Sequence, residues 1–432
     1  MEKVIIHTYQ QIVKDSRLFE LAKESGMVYS RTLKAFWKRY NKENVWMTEY
    51  DLQSYMKDKL KRNLLHSDSY LGSLQLVADN LSSWRSAKKE WEKHPEKFSG
   101  KPIPPHRTRF LQVIVFKKSA IHLKNGYLFL SLAKGNDPIK IKWTLDKPKY
   151  CTINYDRTKG WLLNTTLEVP AEQLELNKEN ILSVDLGVNR IATTFNSVNN
   201  EVVTYSGKYI KSLIRLENKI RSDTQKKLSK TKFKSRRNNV LRRANRVLRK
   251  KINDKKKDFL NKTSKQIVDY CVKNNIGKIV FGDCSGIHTN TNTGKVNNQK
   301  IQQFPEQKLL KYTTYKFESI SGLTEVIQEH YTSQDCPICE NRYKPTNRVY
   351  DCKSCWFIYD RDGVGSINIY KKYRSMNNPN YKLNVVGLLA SPIGLKYHDI
   401  NKKKSDRLNR DYLKGSNNIN SEMINVIEHQ SL

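Results

Sequence analysis

Long apolar segments are missing from this 432-residue chain. No stretch approaches the ~18 consecutive apolar residues of a membrane span. The amino-terminal run MEKVIIHTYQQIVKDSRLFELAKES has no unbroken apolar core of the kind that a signal peptide needs. We therefore expect a cytoplasmic protein that is neither secreted nor embedded in a membrane.

Acidic residues are scarce beside basic ones. The chain has 42 Asp and Glu against 79 Lys and Arg, a formal net charge of +37. Such an excess destabilises a compact fold through self-repulsion unless a polyanion neutralises it. Nucleic acid is the obvious counter-charge, and the basic run QKKLSKTKFKSRRNN predicts phosphate contacts. A membrane surface fits less well, because no plain amphipathic basic helix or lipidation signal is present.

Cysteine is too sparse for a disulfide framework. Three of the seven cysteines, Cys151, Cys271 and Cys284, stand singly in mostly apolar surroundings. This pattern is typical of small buried side chains in a reducing compartment.

The other four cysteines form two close pairs. Cys336, Cys339, Cys352 and Cys355 follow the spacing C-x2-C-x12-C-x2-C. Each C-x2-C turn can present two thiolates to one ion, and the residues between the pairs suffice for a short hairpin. The spacing predicts a structural zinc site, whereas four thiols in a mobile loop would leave the pairing unexplained.

Two aspartates stand out as candidate metal ligands. Asp185 lies within an apolar predicted strand, where a buried charge is costly unless a cation or partner compensates it. Asp362 opens the predicted helix DGVGSINIYKKY, whose dipole favours an anion. Either residue alone is more often a cap than a ligand. Two-metal cleavage of a phosphodiester needs several converging carboxylates, so a third would have to come from the chain between Asp185 and Asp362. Oxygen ligands favour magnesium or manganese.

The order of patterns along the chain predicts several domains. Helical spacing up to about Trp91 is followed by the helix-breaking run FSGKPIPP and by alternating strands with an Asn125-Gly126 hairpin signal. After about residue 180, apolar strands alternate with helices, which indicates an α/β fold. A basic helical hairpin is predicted from Lys208 to Asp258, with helix resuming after it.

Four segments of the second half resemble a known family. VDLGVNRIATTF, FGDCSGI, YTSQDCPICE and YDRDGVGSINI, in this order and with the zinc knuckle between the last two, resemble the RuvC-type nuclease of TnpB proteins. These are transposon-encoded RNA-guided DNA endonucleases related to type V CRISPR effectors and to Fanzor. The resemblance covers residues 180–370 well, and GKPIPPHRTRF with LKNGYLFLSL resembles the family's wedge barrel less specifically.

The resemblance implies a fold and a division of the chain. The expected fold is an α/β RNase H-like (RuvC) nuclease domain with an inserted zinc ribbon, an N-terminal β-barrel (wedge) and a helical recognition lobe. The implied segments are the first wedge strand at 1–15, the helical lobe at 16–97, the wedge barrel at 98–178, the nuclease at 179–333 with its basic insertion at 208–258, the zinc ribbon at 334–357, the last RuvC motif at 358–373 and a flexible tail at 374–432.

The resemblance also implies the site residues. The first and last RuvC aspartates fall on Asp185 and Asp362, and the zinc ligands fall on the four paired cysteines. Many members have a glutamate where this chain has Gly282, but the branch that includes serine-recombinase elements and Fanzor has one just before YTS, which is Glu329 here. We therefore expect Asp185, Glu329 and Asp362 to bind two magnesium ions, with Asp283 as the alternative middle ligand.

Three further departures from the family pattern occur near these motifs. Val364 replaces the usual asparagine, which bears on the geometry of the site. Glu340 and Trp356 stand where glycine often follows the paired cysteines, and we expect these two to alter only the knuckle turns.

The implied activity is RNA-guided cleavage of double-stranded DNA beside a short flanking motif. A guide RNA from the transposon end would read the target by base pairing, and the protein would work at the nucleoid of a prokaryote. Three alternatives remain open: a nuclease-dead RNA-guided repressor, an RNA-independent transposase, and a plain zinc-ribbon DNA-binding protein.

Overall fold

The computed structural model describes most of the chain. The described residues are 4–57, 59, 63–107, 111–171, 173–283, 294, 298–299, 302–378, 381, 383 and 391–396. Cys284, most of the polar loop that follows it and most of the predicted flexible tail lie outside the described residues. The chain divides into two compact units, unit 1 at Met1–Ala171 and unit 2 at Glu172–Leu432. The finer domain boundaries stay a prediction.

Three helices form the helical part of unit 1. They are α1 (Leu18–Glu43), α2 (Glu49–Met56) and α3 (Ser67–Lys93). A capping box starts α2, because the Thr48 hydroxyl accepts the Asp51 N–H while the Asp51 carboxylate accepts the Thr48 N–H. Close packing of α3 on the neighbouring strand depends on Gly72, since a Cβ there would lie 2.7 Å from Cβ of Val115.

Seven strands of unit 1 form two antiparallel sheets. The strands are β1 (Val4–Ile12), β2 (Ile114–Lys117), β3 (Ile121–Lys124), β4 (Tyr127–Leu130), β5 (Ile139–Lys142), β6 (Tyr150–Asp156) and β7 (Gly160–Pro170). Their order is β1-β7-β6-β2 in one sheet and β3-β4-β5 in the other. Buried side chains of both sheets and of α1 and α3 share one core. Closure into a barrel stays a prediction.

The β3–β4 turn has the conformation that its sequence predicts. Asn125 and Gly126 both have positive φ, 50° and 72°, as a two-residue type I′ hairpin requires.

A six-stranded sheet forms the centre of unit 2. Its strands are β8 (Asn177–Asp185), β9 (Arg190–Asn196), β10 (Val202–Ser206), β11 (Ile276–Asp283), β12 (Leu323–Gln328) and β15 (Ile393–Leu395). Their order is β12-β11-β8-β9-β10-β15. The strands β8, β9 and β10 are antiparallel, whereas β11 runs parallel to both β8 and β12. This mixed sheet with helices on its faces is an α/β fold.

Helices cover both faces of this sheet. One face packs against α5 (Arg236–Lys273) and α6 (Glu306–Glu318), and the other against α7 (Arg361–Asn377). The helix α4 (Lys208–Ser229) forms an antiparallel hairpin with α5. The helix predicted after residue 258 is confirmed, but it continues α5 without a break instead of starting anew.

The zinc-ribbon segment precedes α7. Its two short strands, β13 (Val349–Asp351) and β14 (Ile358–Asp360), are antiparallel. Buried Tyr350 packs in the same apolar cluster as Cys336 and Cys352, so the ribbon and α7 share a core. Within the described part of the chain, no helix combines the length and apolarity that a bilayer crossing requires.

Candidate active site

The predicted carboxylates gather at one edge of the central sheet. Asp185 ends β8, Asp283 ends β11, and Glu329 follows the last residue of β12. These three strands are parallel, so their carboxyl ends meet at the same edge. The sheet thus brings together residues that are far apart in sequence.

Side-chain alternation directs Asp185 and position 282 to the face covered by α7. The Ser183 hydroxyl, two residues before Asp185, donates to the Ser366 carbonyl of α7 at 2.6 Å. The pair Val184–Phe281 in the β8–β11 register points to the opposite core, so the next residue of each strand, Asp185 and Gly282, points to α7.

Glu329 fills the space that a side chain at position 282 would occupy. A Cβ placed on Gly282 would lie 2.5 Å from Oε2 of Glu329 and 3.3 Å from its Cβ. The glycine therefore makes room for the glutamate carboxylate. The two positions compete for one volume, which sequence patterns alone do not reveal.

The Glu329 carboxylate is an incompletely satisfied acceptor. Its Oε2 is buried and has no hydrogen-bond partner among the described residues. Burial, and to a smaller extent the nearby Asp283 charge, raises the pKa of Glu329 to about 7. A buried acceptor without a partner is costly, so this oxygen fits either a proton or a metal ion.

Asp185 is electrostatically close to both other candidate ligands. Burial, followed by the charges of Glu329 and Asp362, raises the pKa of Asp185 well above its ordinary value. Gly365 of α7 allows this packing, since a Cβ there would lie 2.5 Å from Oδ2 of Asp185. A buried carboxylate whose pKa is raised by neighbouring carboxylates is typical of a divalent-cation site.

Asp362 lies in the first turn of α7 but does not cap it. The cap is Asp360, whose Oδ1 accepts the N–H groups of Asp362 and Gly363, both at 3.1 Å. The Asp362 carboxylate instead faces two guanidinium groups, with Oδ2 at 3.0 Å from Nη1 of Arg348 and 3.6 Å from Nη1 of Arg190. Since Asp360 takes the capping role, Asp362 remains available for a different one.

Arg190 joins the sheet to the helix that carries Asp362. It begins β9, and its Nη1 donates to the Asp360 carboxylate as well as facing Asp362. Asn368 makes a second link, because its buried Nδ2 donates to the carbonyls of Thr332 and Asp335 at 2.7 and 2.6 Å. These contacts fix α7 relative to both β9 and the segment after Glu329. Neither Arg190 nor Asn368 was predicted as part of the site, because neither carries a local sequence signal.

Val364 has a structural place in this arrangement. It is fully buried and belongs to the apolar cluster between the sheet and α7. The departure from the family's asparagine therefore puts a core residue between Asp362 and Gly365.

The four paired cysteines converge as their spacing predicts. Among the described residues, they are the one group of three or more potential ligands whose donor atoms all lie within 4.8 Å of one another. The Sγ distances are 3.5 Å for Cys336–Cys355 and 3.5 Å for Cys339–Cys352. Tetrahedral zinc with Zn–S bonds of 2.3 Å would separate sulfurs by about 3.8 Å, so the thiols fit a zinc ion.

The carboxylate oxygens of Asp185, Glu329 and Asp362 do not all lie within 4.8 Å of one another.

Each C-x2-C turn ends in a left-handed residue. Glu340 and Trp356 have φ of 63° and 59°, and their N–H groups donate to the carbonyls of Cys336 and Cys352 at 3.0 Å. The left-handed region favours glycine, so these departures from the family's pattern fall in the turns.

Two family models match parts of this chain. Residues 164–288 match the family OrfB_IS605, described as a probable transposase, and residues 307–369 match the Cas12f1-like TNB domain. A TnpB-like protein of Methanocaldococcus jannaschii is 26% identical over 211 residues, which are 47% of this chain and 72% of that protein.

The chain is thus similar to the TnpB family. The two family matches span β8 and β11, which end in Asp185 and Asp283, as well as the strand before Glu329, the zinc ribbon and the start of α7.

Two solved structures share the fold of this chain. A Cas12f1–sgRNA–target DNA complex has a TM-score of 0.55 at 13% identity, covering 83% of each chain. CasPhi-2 (Cas12j) bound to crRNA has a TM-score of 0.54 at 10% identity, covering 89% of this chain and 100% of the other. At these identities the likeness establishes the fold alone.

Proposed function

We propose that the protein is a member of the TnpB family and an RNA-guided endonuclease that cleaves double-stranded DNA beside a short flanking motif. The observation that carries the proposal is the set of carboxylates at one sheet edge, where Glu329 has a buried oxygen without a described partner and Asp185 lies near two like charges. The strand order of three antiparallel strands followed by two parallel ones supports an RNase H-like, RuvC-type core.

Asp185, Glu329 and Asp362 would hold two magnesium ions. Their oxygen donors suit a hard divalent cation, and the raised pKa values of Asp185 and Glu329 indicate a site that a cation would stabilise. When bound, the ions would activate water and stabilise the leaving oxygen. Arg190, which pairs with Asp362, would hold that carboxylate in place.

Glu329 is the middle ligand that we favour over Asp283. Asp283 is the last residue of β11 and pairs in register with Gln328 inside the sheet, whereas Glu329 lies one residue beyond β12. The carboxylate of Glu329 also occupies the space next to Gly282, on the side that faces α7. This arrangement supports the branch of the family with the relocated glutamate.

Guide RNA from the transposon end and target DNA are the proposed partners. The net charge of +37 requires a polyanion, and the related Cas12f1 structure is a complex with sgRNA and target DNA. Base pairing would read the target, so the protein needs to recognise only the duplex shape and the flanking motif. The four cysteines would hold a structural zinc ion beside the site.

A plasmid-cleavage assay tests the proposal. Protein purified with its copurifying RNA should cut a matched plasmid in the presence of Mg²⁺, and Glu329→Gln should abolish cutting while leaving target binding unchanged. Glu325→Gln is the matched control, because Glu325 lies on β12 and pairs with Lys278. Full cutting by Glu329→Gln, with loss of cutting in Asp283→Asn, would transfer the role of middle ligand to Asp283.

The same assay separates the other functions. Tight guided binding without any cutting by the wild-type protein would identify a repressor. Strand transfer without RNA would identify a transposase. Binding of DNA with neither RNA nor cutting would leave a plain zinc-ribbon protein.

A further inference from the structure

The far end of the α4–α5 hairpin is a positively charged tip without support from the core of unit 2. In α4 the buried residues end at Ile214, and in α5 the buried residues other than Asn238 begin at Ile252. The part of α4 beyond Ile214 is about 22 Å long at 1.5 Å per residue. Every charged residue from 226 to 251 is Lys or Arg. Apolar burial therefore does not account for the length of this hairpin.

An exposed aromatic ring lies at this tip. Phe233 is 68% exposed, and it is the one aromatic residue of the sequence between Tyr209 and Phe259. Two cations flank the ring, with Lys234 Nζ at 5.5 Å and the Arg242 guanidinium carbon at 5.6 Å from its centroid. Exposing a phenyl ring to water gives no stability to the free protein.

The tip is also well ordered by its own hydrogen bonds. Asn238 is 2% exposed, and its Nδ2 donates to the Thr231 hydroxyl at 2.9 Å. Its Oδ1 accepts from Nε of Arg242 at 2.8 Å, which fixes that guanidinium beside the ring. Lys234 has a positive φ of 63°, and the Ser235 hydroxyl accepts the Asn238 N–H at 3.2 Å. The ring and its cations are thus held in place before any partner binds.

We propose that this tip binds single-stranded nucleic acid, with a base stacked on Phe233 and the adjoining phosphates on Lys232, Lys234 and Arg242. Stacking on aromatic rings combined with cations along the backbone is the general mode of binding single strands. A duplex keeps its bases stacked on one another, so it would meet the cations but not the ring. The proposal goes beyond the cleavage function and does not depend on it.

The test measures the affinity of the full chain for short oligouridine, oligothymidine and duplex DNA in magnesium-free buffer over a range of salt. Phe233→Leu should weaken binding of single strands roughly fivefold or more, leave the slope of log affinity against log salt unchanged, and leave duplex binding unchanged. Phe233→Trp should retain affinity. Lys232→Gln should lower the slope by about 0.7, and Val240→Ala, an exposed apolar residue of α5, should have no effect.

Cross-linking provides a second measurement that needs no variant. Oligonucleotides with 5-iodouracil should cross-link to the peptide that contains Phe233, and the RNA and DNA arms identify which strand it prefers. The proposal is overturned if Phe233→Leu binds single strands as well as the wild type, if it loses duplex binding equally, or if cross-links fall only outside the tip. Because these readouts involve no cleavage, their failure is distinct from failure of the proposed nuclease.

Discussion

Substitution of Gly282 by alanine is the most informative small change near the candidate site. A Cβ at this position would lie 2.5 Å from Oε2 of Glu329 and 2.8 Å from Cδ1 of Ile369. The backbone of Gly282 is not in the left-handed region, since it is absent from the positive-φ glycines of the described chain. The effect of Gly282→Ala should therefore come from displacement of its neighbours rather than from backbone strain.

The expected magnitude follows from these distances. Atoms in favourable contact lie about 3.5–4.0 Å apart, so the Glu329 carboxylate must retreat by about 1 Å. A displacement of that size in a catalytic geometry costs about 100-fold in rate, whereas overpacking costs about 1–3 kcal/mol of stability. We expect Gly282→Ala to remain folded and to bind guide and target, while cutting about 100-fold more slowly.

Single-turnover cleavage at saturating Mg²⁺ measures this effect. Gly100→Ala is the control, because a Cβ there would have no neighbour within 4 Å. The double change Gly282→Glu with Glu329→Gly should recover part of the rate lost in Glu329→Gly alone, since it supplies a carboxylate to the same space from β11. Wild-type cleavage by Gly282→Ala would refute the idea that the position of this carboxylate matters.

Three further predictions concern the surroundings of the site. Arg190 pairs with Asp360, the cap of α7, and with Asp362. Arg190→Met should therefore lower the cleavage rate about tenfold or more with unchanged target affinity, and Arg190→Lys should recover part of the rate. Equal rates of wild type and Arg190→Met in single-turnover assays would contradict this. Cys352→Ser should reduce zinc content by elemental analysis and lower Tm, since zinc binding supplies folding free energy; unchanged zinc would refute the site. Burial raises the pKa of Glu329 to about 7. The metal-free protein should therefore lose stability as pH rises from about 4.5 to 7, and Mg²⁺ should bind more tightly over the same range. A Tm and a Mg²⁺ affinity that do not change with pH would contradict this prediction.

Local patterns predicted the elements whose causes are local. The Asn125-Gly126 turn follows from the need for positive φ at both residues, and the convergence of the cysteines follows from two C-x2-C turns. The strand β6 (Tyr150–Asp156) was missed, because its sequence YCTINYD has a weak apolar alternation and it is recognised only through its pairing with β7.

Long-range packing decided the features that the sequence could not predict. Asp360 caps α7, and the Asp362 carboxylate instead faces the guanidinium of Arg190 from a distant strand, a contact that only the folded chain reveals. In the sequence, Gly282 stands where many family members have a ligand. Its closeness to Glu329 depends on the register of β11 and β12, which the sequence does not show. Asp185, Asp362 and the four cysteines stood out from local patterns, whereas Glu329 came from the family resemblance, and the roles of the three carboxylates stay predictions.

A crystal structure with Mn²⁺, located by its anomalous scattering, tests whether the three carboxylates bind metal. We expect two manganese ions about 4 Å apart, with oxygen ligands from Asp185, Glu329 and Asp362. The proposed site would be contradicted if Asp185 and Asp362 bound no common set of ions, or if saturating Mn²⁺ gave no ion at this edge of the sheet.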